Sequence, residues 1–484
     1  MLALAFVLHL GLGAAVGLSV DEAHYLLYAL HPALSYFDHP PLVGWVQWPL
    51  VAGDVPAALL RLVPGLLWLG TVWGVYRLTV RLAVGPHAPR AGGWAVAVLL
   101  LAPLLHVLGI GLLPDTLLMF FTVLLMHQTL VLMAPAGAQR LLPWLLLGVL
   151  LGLAGLSKYT AILTAGAVAV CLLAAHGWRL LRQPGLWLAV LVALLMVSPV
   201  ALWNAQHQWI SFSYQAQHGA GSAWRAGEVL RFLLVQWLVY GPLLWWGTLA
   251  WRHPHTRGVR SLMVFFALPF GVLALLSGGG SSLPHWTAPA WVALAPFAGL
   301  ALARDRTRGW RYLVGAWVGV QALACTVLLG LMVTAGQPWI ASGGGEVAAR
   351  INPFADLHGW AQAGERARAL AQAQHLDSVA VQNWTLASRL GWYARPLPVH
   401  VLEDRFDQFD LWAGDLPQGG STLLVDWSHM AYTVPLGPHG FADCTLLERQ
   451  VVRRWGADIA SFRFYACHGW SGHPQPQLQP RPAP

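Results

Sequence analysis

In a chain where only 10% of residues are charged, residues 21–41 read DEAHYLLYALHPALSYFDHPP. This stretch gathers Asp21, Glu22, His24, Asp38 and His39 with Tyr25, Tyr28, Tyr36 and Phe37. Adjacent carboxylates at a membrane surface suit a general base, a metal ligand or a clamp for sugar hydroxyls. The plainer alternative is a polar loop opening a helix, with Ser19 as N-cap of a helix starting near Asp21. Asp115 follows Pro114 at a second helix start, where proline loses no hydrogen bond and an acid suits the helix dipole. Lys158 is the sole lysine of the chain and lies in GLSKYT, residues 155–160. An ammonium between two apolar runs needs a carboxylate or a phosphate to stay charged, and a lipid phosphate would serve. Snorkelling to a helix end is the alternative for Lys158, and equally for Arg61, one turn into the second apolar run.

Two later segments have binding character. Residues 203–222, WNAQHQWISFSYQAQHGAGS, hold Trp203, Asn204 and His207 among neutral amides and aromatic rings, the composition of a carbohydrate site. The interfacial aromatic belt accounts for the tryptophans alone. Residues 278–291, GGGSSLPHWTAPAW, return to a helix at His285 and Trp286, within reach of a lipid phosphate or a sugar. His207, His218 and His285 lack tight metal-ligand spacing, so no zinc site is assigned, and a divalent cation elsewhere stays open.

These residues must be positioned by membrane helices. The 484 residues are 57% hydrophobic, more apolar surface than a soluble domain buries, so the chain is a polytopic membrane protein. Eleven runs approach the ~20 residues a span needs, near 2–18, 56–76, 91–111, 115–134, 141–157, 159–176, 185–203, 228–250, 261–277, 286–303 and 312–335. A net charge of +8 would suggest nucleic acid for a soluble protein. Here Arg77, Arg81, Arg90, Arg140, Arg179, Arg182, Arg252, Arg257, Arg260, Arg304, Arg306, Arg308 and Arg311 occupy alternate loops. That is the positive-inside pattern, and nucleic-acid binding is rejected. It puts residues 21–41, 106–115, 204–227, 278–285 and everything after about 337 outside the cytoplasm. The first run lacks a basic start and reads as an uncleaved helix.

Residues 1–338 therefore read as a transmembrane domain with a chemically active first outer loop, 19–55, which has helical spacing over 22–30. Residues 339–470 read as a small extracytoplasmic α/β domain. Its helices are expected at 359–374 and 384–393, with strands at 378–382, 399–402 and 422–426 and a hairpin pairing 445–454 with 459–467. Residues 471–484, rich in Pro and Gln, read as a disordered tail. Cys171 and Cys325 fall inside membrane helices. A turn near Trp455 and Gly456 sets Cys444 and Cys467 roughly opposite each other, which favours a disulfide in an oxidising compartment.

DEAHY with FDHPP, Arg61–Leu62, Pro114–Asp115, LSKYT, WNAQHQWISF and the trailing α/β domain together resemble the GT-C superfamily of membrane glycosyltransferases. The branch is that of bacterial relatives of protein O-mannosyltransferases and of the lipid A aminoarabinose transferase. The resemblance implies a polyprenyl-phosphate sugar donor in the inner membrane and a lipid A, lipopolysaccharide, other glycan or protein acceptor. By the same resemblance Asp21 is the base, with Glu22 and Asp115 as supporting carboxylates. The resemblance also sets Lys158 and Arg225 at the donor phosphate; Arg61 and His285 are further phosphate candidates by their placement, and His24, Tyr25, Asp38, His39, Trp203, Asn204, His207 and Trp286 are the candidate substrate-binding residues. Some relatives work without a tightly bound metal and others hold one. The rival reading is a polytopic transporter or flippase, which should show internal repeats and midplane polar groups. The chain shows no repeat, and its polar groups gather at one face. A receptor using the outer domain would leave Asp21 and Lys158 unexplained.

Overall fold

The computed structural model describes residues 2–83, 85–221, 223–252, 260–280, 282–304, 307–337 and 352–481. Arg257, Arg306 and the expected domain junction near residue 339 lie outside the described residues. By contacts the chain divides into two compact units. The first comprises Met1–Leu10, Pro32–Leu50 and Val55–Thr326, and the second Gly11–His31, Val51–Asp54 and Val327–Pro484.

Each of the eleven apolar runs is helical. In order they contain α1 (Leu2–Ala15), α3 (Leu62–Leu82), α4 (Ala88–Leu100) with α5 (Pro103–Ile110), α6 (Pro114–Met133), α7 (Leu141–Ser157), α8 (Ala161–His176), α9 (Pro184–Gln206), α11 (Ala226–Tyr240), α12 (Val264–Leu276), α13 (Ala288–Leu302) and α14 (Arg308–Thr334). The outer segments add α2 (Val20–Leu30) and α10 (Ile210–Ala220). Five of the described helices are long and apolar enough to cross a membrane, or up to eight when each bent pair counts as one span. The runs at 141–157 and 261–277 form shorter apolar helices, and two other runs are broken at prolines. The α4/α5 break falls just before Pro103, and the break after α11 falls at Gly241, with φ 82°, before Pro242. Proline removes the intrahelical donor and turns its predecessor out of the helical region. Within the first unit α7 and α9 approach closely through Gly148 and Gly152. A Cβ on either glycine would stand 2.6 Å from Ala189 O or Met196 Cβ, the small-residue contact of membrane helices.

The second unit is built on a five-stranded mixed sheet. Its strands are β1 (Val379–Val381), β2 (Val399–Val401), β3 (Thr422–Trp427), β4 (Phe441–Arg454) and β5 (Ala457–Trp470), in the order β2-β1-β3-β5-β4. β1 runs parallel to β2 and β3, while β5 is antiparallel to β3 and β4. The β4–β5 turn has positive φ at both Trp455 (50°) and Gly456 (78°), the geometry that matches the strands' twist. Cys444 sits opposite Cys467 in the ladder, and the two are joined by a disulfide. Helices α15 (Trp360–Ala373) and α16 (Trp384–Tyr393) flank the strands, Asn383 capping α16 by accepting from the Leu386 N–H. A short helix unforeseen from the sequence, α17 (Gln408–Trp412), follows β2.

Two expectations are corrected. Residues 471–481, expected to be disordered, lie bonded along the second unit. Thr433 N–H donates to Gln479 O and Arg481 N–H to Ala431 O, and the Arg481 guanidinium pairs with buried Asp426. Proline- and glutamine-rich composition does not preclude order where backbone groups and a buried carboxylate find partners. The stretch Gly11–His31, expected as the end of the first membrane helix (2–18) and the start of the outer loop (19–55), groups with the C-terminal unit. The cause is its bonding. Gly17 N–H donates to Leu357 O (2.8 Å), Leu18 N–H to the Tyr393 hydroxyl (2.9 Å), and Leu27, Tyr28 and Ala29 are buried.

Candidate active site

Two constellations of ionisable residues stand out, one in each unit. In the first unit, α6 begins at Pro114, whose ring is pre-set for a helix start, and this places Asp115 in the first turn. At the end of α7, Lys158 leaves the helix with extended φ and ψ (−159°, 143°). The sharp exit between α7 and α8 turns its side chain inward. The Lys158 ammonium donates to both Asp115 carboxylate oxygens at 2.7 Å, with Asp115 1% and Lys158 4% exposed. His285 Nε2 lies 3.8 Å from Asp115, and the ammonium stands 5.6 Å from the Trp286 ring centroid. Residues from three separate stretches of the sequence thus converge. A buried ion pair so bonded holds one cation at a fixed position.

A cavity of about 300 Å³ is lined by Glu228, Arg231, Phe232, Ser277, Ser282 and Pro284 among others, and by none of the four clustered residues. Arg225 is not drawn into the buried cluster. Its side chain is 67% exposed and pairs with Glu228 at 3.4 Å. Arg61 is buried at the junction where a short helical turn passes into α3. Among the described residues, no three His, Cys, Asp or Glu side chains gather to hold a metal ion.

The aromatic and amide-rich outer segment works as a latch within the same unit. Asn204 is fully buried, donating to Val200 O and accepting from the Ser211 N–H. Ser211 donates to Tyr36 O, Gln215 to Asp38 O, and Tyr214 packs on Phe37 with ring centroids 4.6 Å apart. Trp203 and His207 stack on each other at 3.9 Å. This segment therefore fixes the backbone of Tyr36, Phe37 and Asp38, immediately before half-buried His39. Asn204's own hydrogen-bonding capacity goes largely to protein groups.

In the second unit the first turn of α2 carries Asp21 and Glu22. Ser19 is its N-cap in a full capping box. The Ser19 N–H donates to the Glu22 carboxylate (2.9 Å) and the Glu22 N–H to the Ser19 hydroxyl (3.3 Å). Glu22 thus serves as a cap, while Asp21 beside it stays half-buried. His24 Nδ1 lies 3.0 Å from the Ser388 hydroxyl, which donates its proton to Trp384 O, so His24 carries its proton on Nδ1 and donates. Tyr25, Tyr28, Trp384 and Trp412 surround the His24 ring.

Sequence reasoning passed over Arg389. It is fully buried on α16, with its guanidinium over Trp360 (4.4 Å) and Trp427 (5.4 Å) and paired with Asp356. Burial pulls its pKa below the usual guanidinium value, opposed by the charges of Asp356 and Asp21. The available signal was an arginine amid the apolar residues of WTLASRLGWY.

Comparison with known proteins gives this geometry a context. Residues 38–203 match the family model described as dolichyl-phosphate-mannose-protein mannosyltransferase. That range holds Asp38, His39, Arg61, Asp115, Lys158 and Trp203. A lipid A galacturonosyltransferase, RgtD of Rhizobium johnstonii, is 25% identical over 285 residues, 57% of this chain and 58% of the relative. The match thus spans little more than half of that relative's length. Crystal structures of ArnT from Cupriavidus metallidurans superpose over 98% of both chains. The undecaprenyl phosphate complex has a TM-score of 0.61 at 18% identity, and the apo form 0.63 at 19%. The chain has the fold of ArnT and matches, over residues 38–203, the family model of the dolichyl-phosphate-mannose-protein mannosyltransferases.

Proposed function

We propose that the protein is an inverting glycosyltransferase of the bacterial inner membrane. It moves a sugar from a polyprenyl-phosphate donor to an envelope acceptor, lipid A or the sugars built on it, on the outer face. The observation that carries this reading is the buried Lys158–Asp115 pair flanked by His285 and Trp286. The donor class is supported by the undecaprenyl phosphate bound in the ArnT structure and the acceptor class by the lipid A specificity in the Rhizobium relative's name.

The chemistry is a single displacement. The Asp21 carboxylate takes the proton of an acceptor hydroxyl, whose oxygen attacks the anomeric carbon as the bond to the phosphate oxygen breaks. The leaving polyprenyl phosphate gains negative charge, which the Lys158 ammonium, held by Asp115, offsets. Trp286 offers an apolar face beside that cation. One base and one leaving-group clamp give inversion, without the two closely spaced carboxylates of a retaining enzyme. Asp21→Asn tests the reading by transfer from a polyprenyl-phosphate sugar in purified, folded protein. Activity should be abolished. Activity within about tenfold of the parent, ~1.4 kcal/mol in barrier, would overturn the base assignment.

A further inference from the structure

We propose that Arg389 is a positioning residue for Asp21, so that the C-terminal unit sets the charge and orientation of the carboxylate assigned as base. The inference rests on the reading of Asp21 given above and extends it to a residue some 370 positions downstream.

The start of α2 is fastened point by point within the second unit. Arg454 donates to Ala15 O (3.3 Å), Gly17 N–H to Leu357 O (2.8 Å), Leu18 N–H to the Tyr393 hydroxyl (2.9 Å), and His24 to Ser388 (3.0 Å). Two of these partners, Ser388 and Tyr393, lie on α16 beside Arg389 and one helical turn beyond it. A third, Leu357, directly follows Asp356, the ion-pair partner of Arg389. Arg389 therefore stands among the groups that bond the chain on either side of Asp21, and the negative charge of Asp21 favours the charged form of Arg389.

The guanidinium is poorly matched by Asp356 alone. Its Nε and Nη1 have no hydrogen-bond acceptor among the described residues, although the group is fully buried. Two tryptophan faces hold it in place without using those donors. A buried cation with unused donors near a half-buried carboxylate favours the ionised form of that carboxylate. An ionised base is what proton abstraction requires. The other charged or titratable groups facing this region are Asp356, His429 and Tyr393 around Arg389, and Glu22, His24 and Arg454 around α2. Among these, Glu22 accepts from the Ser19 N–H and His24 meets Ser388.

The test measures pH profiles of kcat for transfer from a polyprenyl-phosphate sugar by the full-length protein in detergent. Arg389→Met should lower kcat about tenfold near neutral pH with donor KM little changed. The acid limb of its profile should move to higher pH, because a carboxylate that loses a neighbouring cation holds its proton more tightly. Asp356→Asn should move the limb the opposite way, since it removes a competing anion and leaves Arg389 to Asp21. Arg389→Lys keeps the charge and should return part of the shift. A merely structural Arg389 would lower the amount of folded enzyme and leave the limb in place in every variant, and that result overturns the proposal. Should Arg389→Met not accumulate, the Asp356→Asn and Arg389→Lys profiles decide it by the same criterion. Asp21→Asn, measured alongside, separates the two failures. If it stays active, the base reading falls; if it is dead and the limbs do not move, only the role of Arg389 falls.

Discussion

Lys158→Met separates the two tasks that the structure gives to one ammonium. Lys158 and Asp115 are both buried and joined by two 2.7 Å hydrogen bonds. Removing the lysine strands a carboxylate with no water to solvate it, which costs about 3–5 kcal/mol. In thermal unfolding that is a drop of about 5–10 °C for a unit of this size. Replacing both partners, Lys158→Met with Asp115→Asn, leaves no stranded charge and should recover most of the loss. Donor affinity should behave differently. A charge-assisted contact to phosphate is worth about 1.5–3 kcal/mol, so single and double variants alike should bind a polyprenyl phosphate about tenfold more weakly or worse. Lys158→Arg keeps the charge but changes its shape and should restore only part of the affinity. The assay pairs thermal unfolding in detergent with titration by the lipid phosphate. Unchanged stability in Lys158→Met would refute the buried-pair argument. Unchanged lipid affinity in every variant would make Lys158 purely structural and leave the phosphate to arginines.

Two further outcomes follow from the second unit. Burial pushes the Asp407 carboxyl up to about 7 from its ordinary 3.8, against the Phe409 N–H it caps. Between those values the folded state holds a proton that the unfolded chain releases, so this group's contribution to stability falls as pH rises through about 4–7. Asp407→Asn keeps the cap and removes the titration. It should raise the unfolding temperature relative to the parent at pH 8, by about 2–4 kcal/mol in stability, and much less at pH 4; an equal effect at both pH values would contradict the argument. Separately, thiol labelling of denatured, unreduced protein should modify Cys171 and Cys325 but neither Cys444 nor Cys467. Reactive thiols at the latter pair would show the hairpin unbridged.

Much of the architecture was legible in the sequence because it depends on local rules. A run of some twenty apolar residues must become a helix to satisfy its backbone in lipid, and arginine placement orients it. The helix expected over 384–393 matches α16 residue for residue, and Trp455 with Gly456 marked the hairpin that pairs Cys444 with Cys467. Ser19 as N-cap was equally local, being written within four residues. What the tertiary structure alone decided concerns partners distant in sequence. Lys158 was recognisable as a cation in need of an anion, but only the packing of α6 beside the end of α7 selects Asp115 as the partner. The bonds that draw α2 into the C-terminal unit come from residues 357, 388, 393 and 454, and no periodicity near Asp21 encodes them. Arg389 went unread for the same reason. In one dimension an arginine on a short helix looks solvated, and only the closure of Trp360, Trp427 and Asp356 around it makes it a buried cation. Periodicity reports which face of an element is apolar, whereas burial of a charge is set by which elements meet, and that is a property of the folded chain.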